Sequence, residues 1–451
     1  MNAAARTIID SVGDFARRIS DFNDTTPEYA PIYEGYARLS LQPGSAVLIL
    51  APNGVEFLFH WIAVLATGGV PCAIAPSTKT PLVLAIQQSL NIAVIVGPQL
   101  DPTRYDTQGF SRIGAFDVVL LPPTPPSYDP FDVLILTTGT SGSQTACVHS
   151  LETLSRNASM TNETLQITSA DKQLIILPMY HSYGLVTQSI GSILSGGELK
   201  IDGPPFNANR LAALIEKERI SICGITPTIA RHLLEKGTVL PRLRSLSIGG
   251  DKVSPDEVKS LLEKPFVEEL YITYGLTEAG PRVSVLPAHE APATAHDSVG
   301  KPFNGVATKI DAPDADGIGQ LLVKTPSACR RKVGKNIQRQ PFTQEGYLET
   351  GDLFTQDPDG YLRYVARKAD ILIVNGEKLN TRSIDQVAES HPDVEFARTS
   401  EADTNSLVTR LWAKNNKPLD LDQIRTFMKS SLRLHEVPDR LIQQGGDVFH
   451  K

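Results

Sequence analysis

Over its first 365 residues the chain alternates short apolar runs with helical patterns, and this rhythm restricts the fold more than any other feature. Runs at 45–50, 70–74, 92–96, 118–121, 173–177, 220–225 and 243–248 are strand-sized and rich in Val, Ile and Leu. Segments 56–67 and 82–91 carry helical patterns between them. Continuous apolar strands alternating with helices indicate an α/β fold, with parallel or mixed sheets covered by helices. From 299 to 323 the pattern shifts to short strands and Gly/Pro/Asp turns, a β-rich subdomain. Asp357-Pro358-Asp359-Gly360 reads as a hairpin turn. At 451 residues there is room for two or three domains.

Bulk chemistry excludes several classes. The net charge of −7 speaks against nucleic acid or an anionic membrane as the main partner. The apolar segment 55–75 is broken by His60, Gly68-Gly69 and Pro71, so no membrane span is expected. The N-terminus lacks a signal-peptide core, and a cytoplasmic location is expected. Cys72, Cys147, Cys223 and Cys329 form no Cys-x-x-Cys pair and read as single reduced thiols, suggesting neither zinc nor disulfides.

Two stretches carry chemistry. The 131–135 run leads into Thr137-Thr138-Gly139-Thr140-Ser141-Gly142, a Gly- and hydroxyl-rich loop whose backbone N–H groups can form an anion-binding nest. Neither the Gly-x-x-x-x-Gly-Lys-Ser/Thr spacing nor Gly-x-Gly-x-x-Gly is present. The second stretch, Tyr274-Gly275-Leu276-Thr277-Glu278, offers a ring, a hydroxyl and a carboxylate within five residues. Both follow strands, where ligands bind in open α/β sheets. No Gly-x-Ser-x-Gly elbow completes around Ser141 or Ser182, which removes the α/β-hydrolase alternative.

Seven motifs in order resemble the acyl-adenylate-forming superfamily: acyl-CoA and aryl-CoA synthetases, luciferases and nonribosomal adenylation domains. Besides the two stretches above, they are Pro178-Met179-Tyr180-His181-Ser182-Tyr183-Gly184-Leu185, Gly249-Gly250-Asp251, Val299-Gly300-Lys301-Pro302, Thr350-Gly351-Asp352-Leu353 and Ala366-Arg367-Lys368-Ala369-Asp370 with Asn375-Gly376. The resemblance implies a large domain at 1–366 and a small mobile α+β domain at 367–451, hinged near 366–370. It implies ATP with Mg²⁺ held by Glu278, and Thr137, Thr138, Gly139, Thr140, Ser141 and Gly142 around phosphate. Thr277 would meet the α-phosphate, Tyr274 and Gly275 the adenine beside Gly249, Gly250 and Asp251, Asp352 the ribose, and Arg367 the ribose or phosphate. His181 would line the acyl pocket or the pantetheine tunnel. The implied reaction makes an acyl-AMP and passes the acyl group to a thiol, either coenzyme A or the phosphopantetheine arm of a carrier protein.

The chain departs from the pattern in three places. Gln144, Thr145 and Ala146 stand where the family carries Pro-Lys-Gly, so the lysine that would meet the β/γ-phosphates is missing. Ala369 replaces an Asp or Lys of the hinge. Lys451 is the candidate for the closing lysine, but no glycine precedes it. These departures keep open a second reading: a relative with weak or no adenylation, acting in ATP-independent thioester transfer or as a nucleotide- or acyl-binding protein. For the acid, the segment 181–190 has no carboxylate to pair an amine, which disfavours α-amino acids. Tyr183, Leu185, Val186, Ile225 and Gly249-Gly250 suggest a mainly apolar pocket for a small aryl or aliphatic acid.

Overall fold

The computed structural model describes residues 3–22, 27–138, 144–335, 337–374, 377–402, 406–414 and 417–445. The chain forms two compact units. The first holds 1–309, 322–350 and 356–363; the second holds 310–321, 351–355 and 364–451.

The first unit is built on two eight-stranded mixed sheets, as the alternation requires. One sheet runs, in spatial order, Ile19–Asp21, Glu198–Ile201, Lys172–Ile175, Ile222–Ile225, Leu243–Gly249, Val267–Gly275, Arg282–Pro287 and Lys301–Pro302. Its pairs are parallel up to Val267–Gly275 and antiparallel beyond it. The other runs Arg331–Gly334, Gln144–Ser150, Asp132–Thr138, Val70–Ile74, Ala46–Leu50, Ile92–Gly97, Phe116–Leu120 and Gly109–Ile113.

Inner faces of both sheets, including Ile49, Val133, Ile175 and Leu199, share one core with the helices Val55–Ala66 and Leu151–Thr164. Val55–Ala66 is buried at ten of its twelve positions because it is apolar all round. That explains the long apolar segment without a membrane, and no described helix is long and apolar enough to cross one. Local chemistry sets the helix starts. Ser150 Oγ accepts from Thr153 N at 3.2 Å. Ser254 and Glu257 form a reciprocal capping box before Pro255–Leu262.

The second unit carries a small core of Leu379, Ile384, Val394, Leu411, Ile424 and Met428. Helices Thr381–Glu389 and Leu421–Ser431 pack there with the sheet Val394–Glu401, Leu407–Ala413 and Arg440–Gln443. The Asp357–Gly360 turn forms as expected, with Gly360 N donating to Asp357 O at 3.0 Å.

Candidate active site

The Gly-rich loop does not join a strand to a helix. Asp132–Thr138 pairs antiparallel with Gln144–Ser150, Thr138 opposite Gln144, so residues 139–143 connect two neighbouring strands. Sequence reading missed the second strand because its polar residues, Gln144, Thr145, His149 and Ser150, interrupt the apolar pattern. Thr137 Oγ1 lies 2.7 Å from Thr145 Oγ1, so each hydroxyl already has a partner. Gly139, Thr140, Ser141 and Gly142 lie outside the described residues, as do the Thr138 side chain, Asn375, Gly376 and Lys451.

Beyond Gly275 the chain makes one short 3₁₀ turn, Thr277–Ala279, carrying the hydroxyl and the carboxylate. Gly275 is required here: a Cβ would come within 2.5 Å of Pro281 O. Three residues that the sequence did not single out as site residues fasten this turn. His149 Nε2 bonds the Thr277 carbonyl at 2.8 Å. Cys329 N donates to the Glu278 carbonyl at 2.8 Å. Lys332 Nζ reaches Glu278 Oε1 at 2.7 Å, with both side chains largely buried.

Burial drives His149 down to about 4, so it is neutral near pH 7 and donates to that carbonyl. Burial alone would lower Lys332, but the Glu278 carboxylate outweighs it and holds the ammonium above its ordinary value.

Cys147, His149 and Cys329, far apart or unremarkable in sequence, come together with donor atoms within 4.8 Å of one another. All three are buried, and burial pushes the Cys147 thiol well up. The Glu278 carboxylate, not this trio of soft donors, suits a hard oxygen-seeking cation such as Mg²⁺, which binds through one or two carboxylates and substrate phosphates.

A second cluster forms at the carboxyl end of Leu243–Gly249. Gly249 is buried, while Gly250 and Asp251 are exposed, and Asp251 Oδ1 turns back to accept from Lys252 N at 2.8 Å. Tyr274, half-buried, pairs with Ser284 on the adjacent strand. The His181 motif enters a π-helical segment, Tyr183–Ile190, whose wide turn is a frequent mark of functional sites. Gly184 permits it, since a Cβ there would sit 2.6 Å from Pro178 O. His181 is half-buried against Tyr180, ring centroids 4.7 Å apart, and burial lowers its pKa.

Tyr183 Oη lies 2.8 Å from Ser247 Oγ, and the Arg282 guanidinium stands 3.9 Å over the Tyr183 ring. Here the apolar-pocket expectation needs correction. Leu185, Val186 and Ile225 are 2%, 0% and 1% exposed and belong to the cores, whereas Arg282 brings a charge to Tyr183 and Gly249. The arginine went unnoticed because one basic residue in an apolar run, Pro281-Arg282-Val283, reads as an exposed strand position.

In the second unit, Arg367 Nε donates to the buried Asp352 Oδ1 at 3.0 Å, so two residues 15 positions apart form one ion pair. The Asp370 side chain, next to Ala369, is largely buried and lies 3.7 Å from Arg398 Nη2.

Comparison with known proteins shows which family the chain resembles. Residues 36–331 match the model of the AMP-binding enzyme family. The chain is 26% identical over 311 residues to a 2-succinylbenzoate–CoA ligase of Staphylococcus aureus, 68% of this chain. That match spans 61% of the ligase's length, less than two thirds. Its fold resembles that of o-succinylbenzoate CoA synthetase from Bacillus subtilis, solved with the acyl-adenylate intermediate (TM-score 0.81, 20% identity, 97% of this chain and 94% of that one). It also resembles that of ATP-bound MatB from Rhodopseudomonas palustris (TM-score 0.74, 18% identity, 98% and 95% covered). With the family model covering the Gly-rich loop, the Tyr274–Glu278 motif and every strand between them, the chain belongs to the AMP-binding enzyme family.

Proposed function

We propose that this protein is an acid–thiol ligase that activates a small carboxylic acid, other than an α-amino acid, with ATP. The carboxylate attacks the α-phosphorus and pyrophosphate leaves; a thiol then attacks the acyl carbon and AMP leaves. Coenzyme A is the favoured acceptor because the curated relative is named as a CoA ligase; a carrier-protein thiol is the other candidate.

The observation that carries this reading is the Thr277–Glu278 turn, its two carbonyls fastened by His149 and Cys329 and its carboxylate held beside Lys332. Mg²⁺, when bound, neutralises phosphate charge and sets the leaving pyrophosphate. Glu278 is the residue to hold it, and the Thr277 hydroxyl would donate to the α-phosphate. The Tyr274 ring packs on adenine beside Gly249. Asp352, an anionic two-oxygen acceptor, takes the ribose hydroxyls, and Arg367, bonded to its Oδ1, orients it. Positioning and charge neutralisation supply most of the rate in such a transfer.

Lys332 also bears on the missing phosphate-loop lysine. It sits opposite Cys147 on the strand paired to Gln144–Ser150, two residues along from Thr145. Residues two apart share one face of a strand, so Lys332 projects from the face a lysine at 145 would use. Lys332 is therefore the candidate to meet the polyphosphate in place of the missing loop lysine, which weakens one of the three departures behind the ATP-independent reading.

Acid-dependent ATP–pyrophosphate exchange over a panel of aryl and aliphatic acids tests the proposal. Exchange with one class supports it. No exchange with any acid, from folded protein that binds AMP, overturns it in favour of ATP-independent acyl transfer.

A further inference from the structure

Cys147, His149 and Cys329 are 0%, 0% and 3% exposed, and their donor atoms lie within 4.8 Å of one another. The fold assembles them from two places. Cys147 and His149 stand two residues apart on Gln144–Ser150 and so share one face of that strand. Cys329 comes from the stretch that leads into the neighbouring strand Arg331–Gly334. Arg330 N donates to Val148 O at 2.8 Å and ties that stretch down beside the pair. No Cys-x-x-Cys spacing announces the cluster, because its third member arrives from a distant segment.

A buried polar atom ordinarily has a hydrogen-bond partner. His149 Nε2 has one in the Thr277 carbonyl at 2.8 Å, whereas Nδ1 is buried with none. Because Nε2 carries the proton, Nδ1 keeps a free lone pair, in the same cluster as two thiols. A metal-binding histidine is arranged in this way: one nitrogen takes the metal, and the other donates to a backbone carbonyl that fixes the ring.

Two thiolates and one imidazole are a ligand set for zinc, with a fourth position left for a further ligand such as water. At zinc's bond lengths the donors of a tetrahedral site stand roughly 3.5–4 Å apart, so the trio has to close by only about an ångström. Charge balances as well. Each thiol releases its proton on binding, and two thiolates cancel a divalent cation, so no net charge is buried. The neighbouring Lys332 and Glu278 already cancel each other.

We propose that Cys147 Sγ, Cys329 Sγ and His149 Nδ1 form a binding site for a thiophilic divalent cation of the zinc class, which fastens the Thr277–Glu278 turn. His149 bonds the Thr277 carbonyl and Cys329 N bonds the Glu278 carbonyl, so a cation shared by these two side chains ties both fasteners of the turn to one centre. The site is separate from the Mg²⁺ place at Glu278, which suits a hard cation bound through oxygen. It does not rest on the ligase reading, because the cation is detected without any substrate.

The test is metal analysis of the full chain, produced in medium supplemented with Zn²⁺ or, separately, with Co²⁺, and kept free of ATP and Mg²⁺. Wild type is expected to carry about one Zn²⁺ per chain, and its Co²⁺ form to show the thiolate-to-cobalt charge-transfer band that oxygen ligands do not give. Cys147→Ser and Cys329→Ser should each lose that band, and Glu278→Gln should keep it. Each serine variant should bind Zn²⁺ more than about a hundredfold more weakly, since even an outer-shell partner is worth roughly 10–100-fold. Zn²⁺ should raise the melting temperature of wild type by a few degrees and leave both serine variants unmoved. Circular dichroism and AMP binding identify a variant that fails to fold, in which case the other serine variant carries the comparison.

Wild type that holds no zinc and shows no charge-transfer band overturns the site and leaves the trio as core thiols beside a positioning histidine. Zinc retained by both serine variants also overturns it, because the cation is then bound elsewhere. A site that fills without raising the melting temperature keeps the ligand set but overturns its role in fastening the turn.

Discussion

Lys332 Nζ and Glu278 Oε1 stand 2.7 Å apart, although 54 positions separate them in the chain. The contact exists because Arg331–Gly334 adds to the edge of the sheet beside Gln144–Ser150, while Cys329 N bonds the Glu278 carbonyl. Diagonal cross-strand neighbours lie roughly 7–8 Å apart, within a lysine's reach, so a charge absent at Thr145 can be supplied from the next strand. Lys332→Ala is expected to weaken ATP and pyrophosphate binding about tenfold or more, with AMP binding nearly unchanged. Adding Thr145→Lys to that variant should restore most of the loss. Isothermal titration with the three ligands checks this; equal losses for AMP and ATP would make Lys332 only a prop for the Glu278 turn.

Glu278→Gln keeps the size of the side chain and removes its charge. Mg²⁺-dependent adenylation should fall by about two orders of magnitude, the usual cost of losing a group that stabilises transition-state charge. The chain should still fold, because the Cys329 bond to Glu278 uses its backbone carbonyl, but the melting temperature should drop by a few degrees since Lys332 loses its counter-ion. Pyrophosphate exchange over a Mg²⁺ titration is the measurement, and an unchanged Mg²⁺ dependence would remove Glu278 from the metal role.

Asp352→Asn should weaken ATP and AMP alike, about tenfold, since ribose is common to both. It breaks the charge pairing with Arg367 while leaving an acceptor oxygen in place. A truncation of Arg367 should give a smaller effect in the same direction. Equilibrium dialysis with AMP separates this from Lys332→Ala, which acts on the polyphosphate.

The second unit should show its own pH dependence. Asp385 is fully buried, and burial raises its carboxyl to about 7 despite the Thr399 N–H it accepts at 2.6 Å. Its ordinary value is 3.8. Between about pH 4 and 7 the folded state keeps a proton the unfolded chain has lost, so stability falls as pH rises through that window. At about 1.4 kcal/mol per unit the swing is on the order of 4 kcal/mol. Asp385→Asn should flatten it, as read from urea midpoints at pH 5 and pH 7.5.

How much of this was legible in the chain follows from where each signal resides. The alternation of apolar runs was enough for the two α/β sheets, because burial on both faces demands continuous Val, Ile and Leu, as at Val70–Ile74 and Ile92–Gly97. The Tyr274–Glu278 motif was visible because its residues are adjacent in the chain. Gly184 and Gly275 could be noticed in their motifs, but their necessity appears only beside Pro178 O and Pro281 O.

Contacts between distant segments were decided by the tertiary structure alone. Residue order says nothing of which strand lies beside Gln144–Ser150, so Lys332 and Cys329 could not be assigned to Glu278. Nor could it reveal that Leu185 and Val186 are core while Arg282 is buried beneath Tyr183. Hydrophobic pattern records which residues leave water; which charge then lacks a partner depends on what the fold brings within a few ångströms of it.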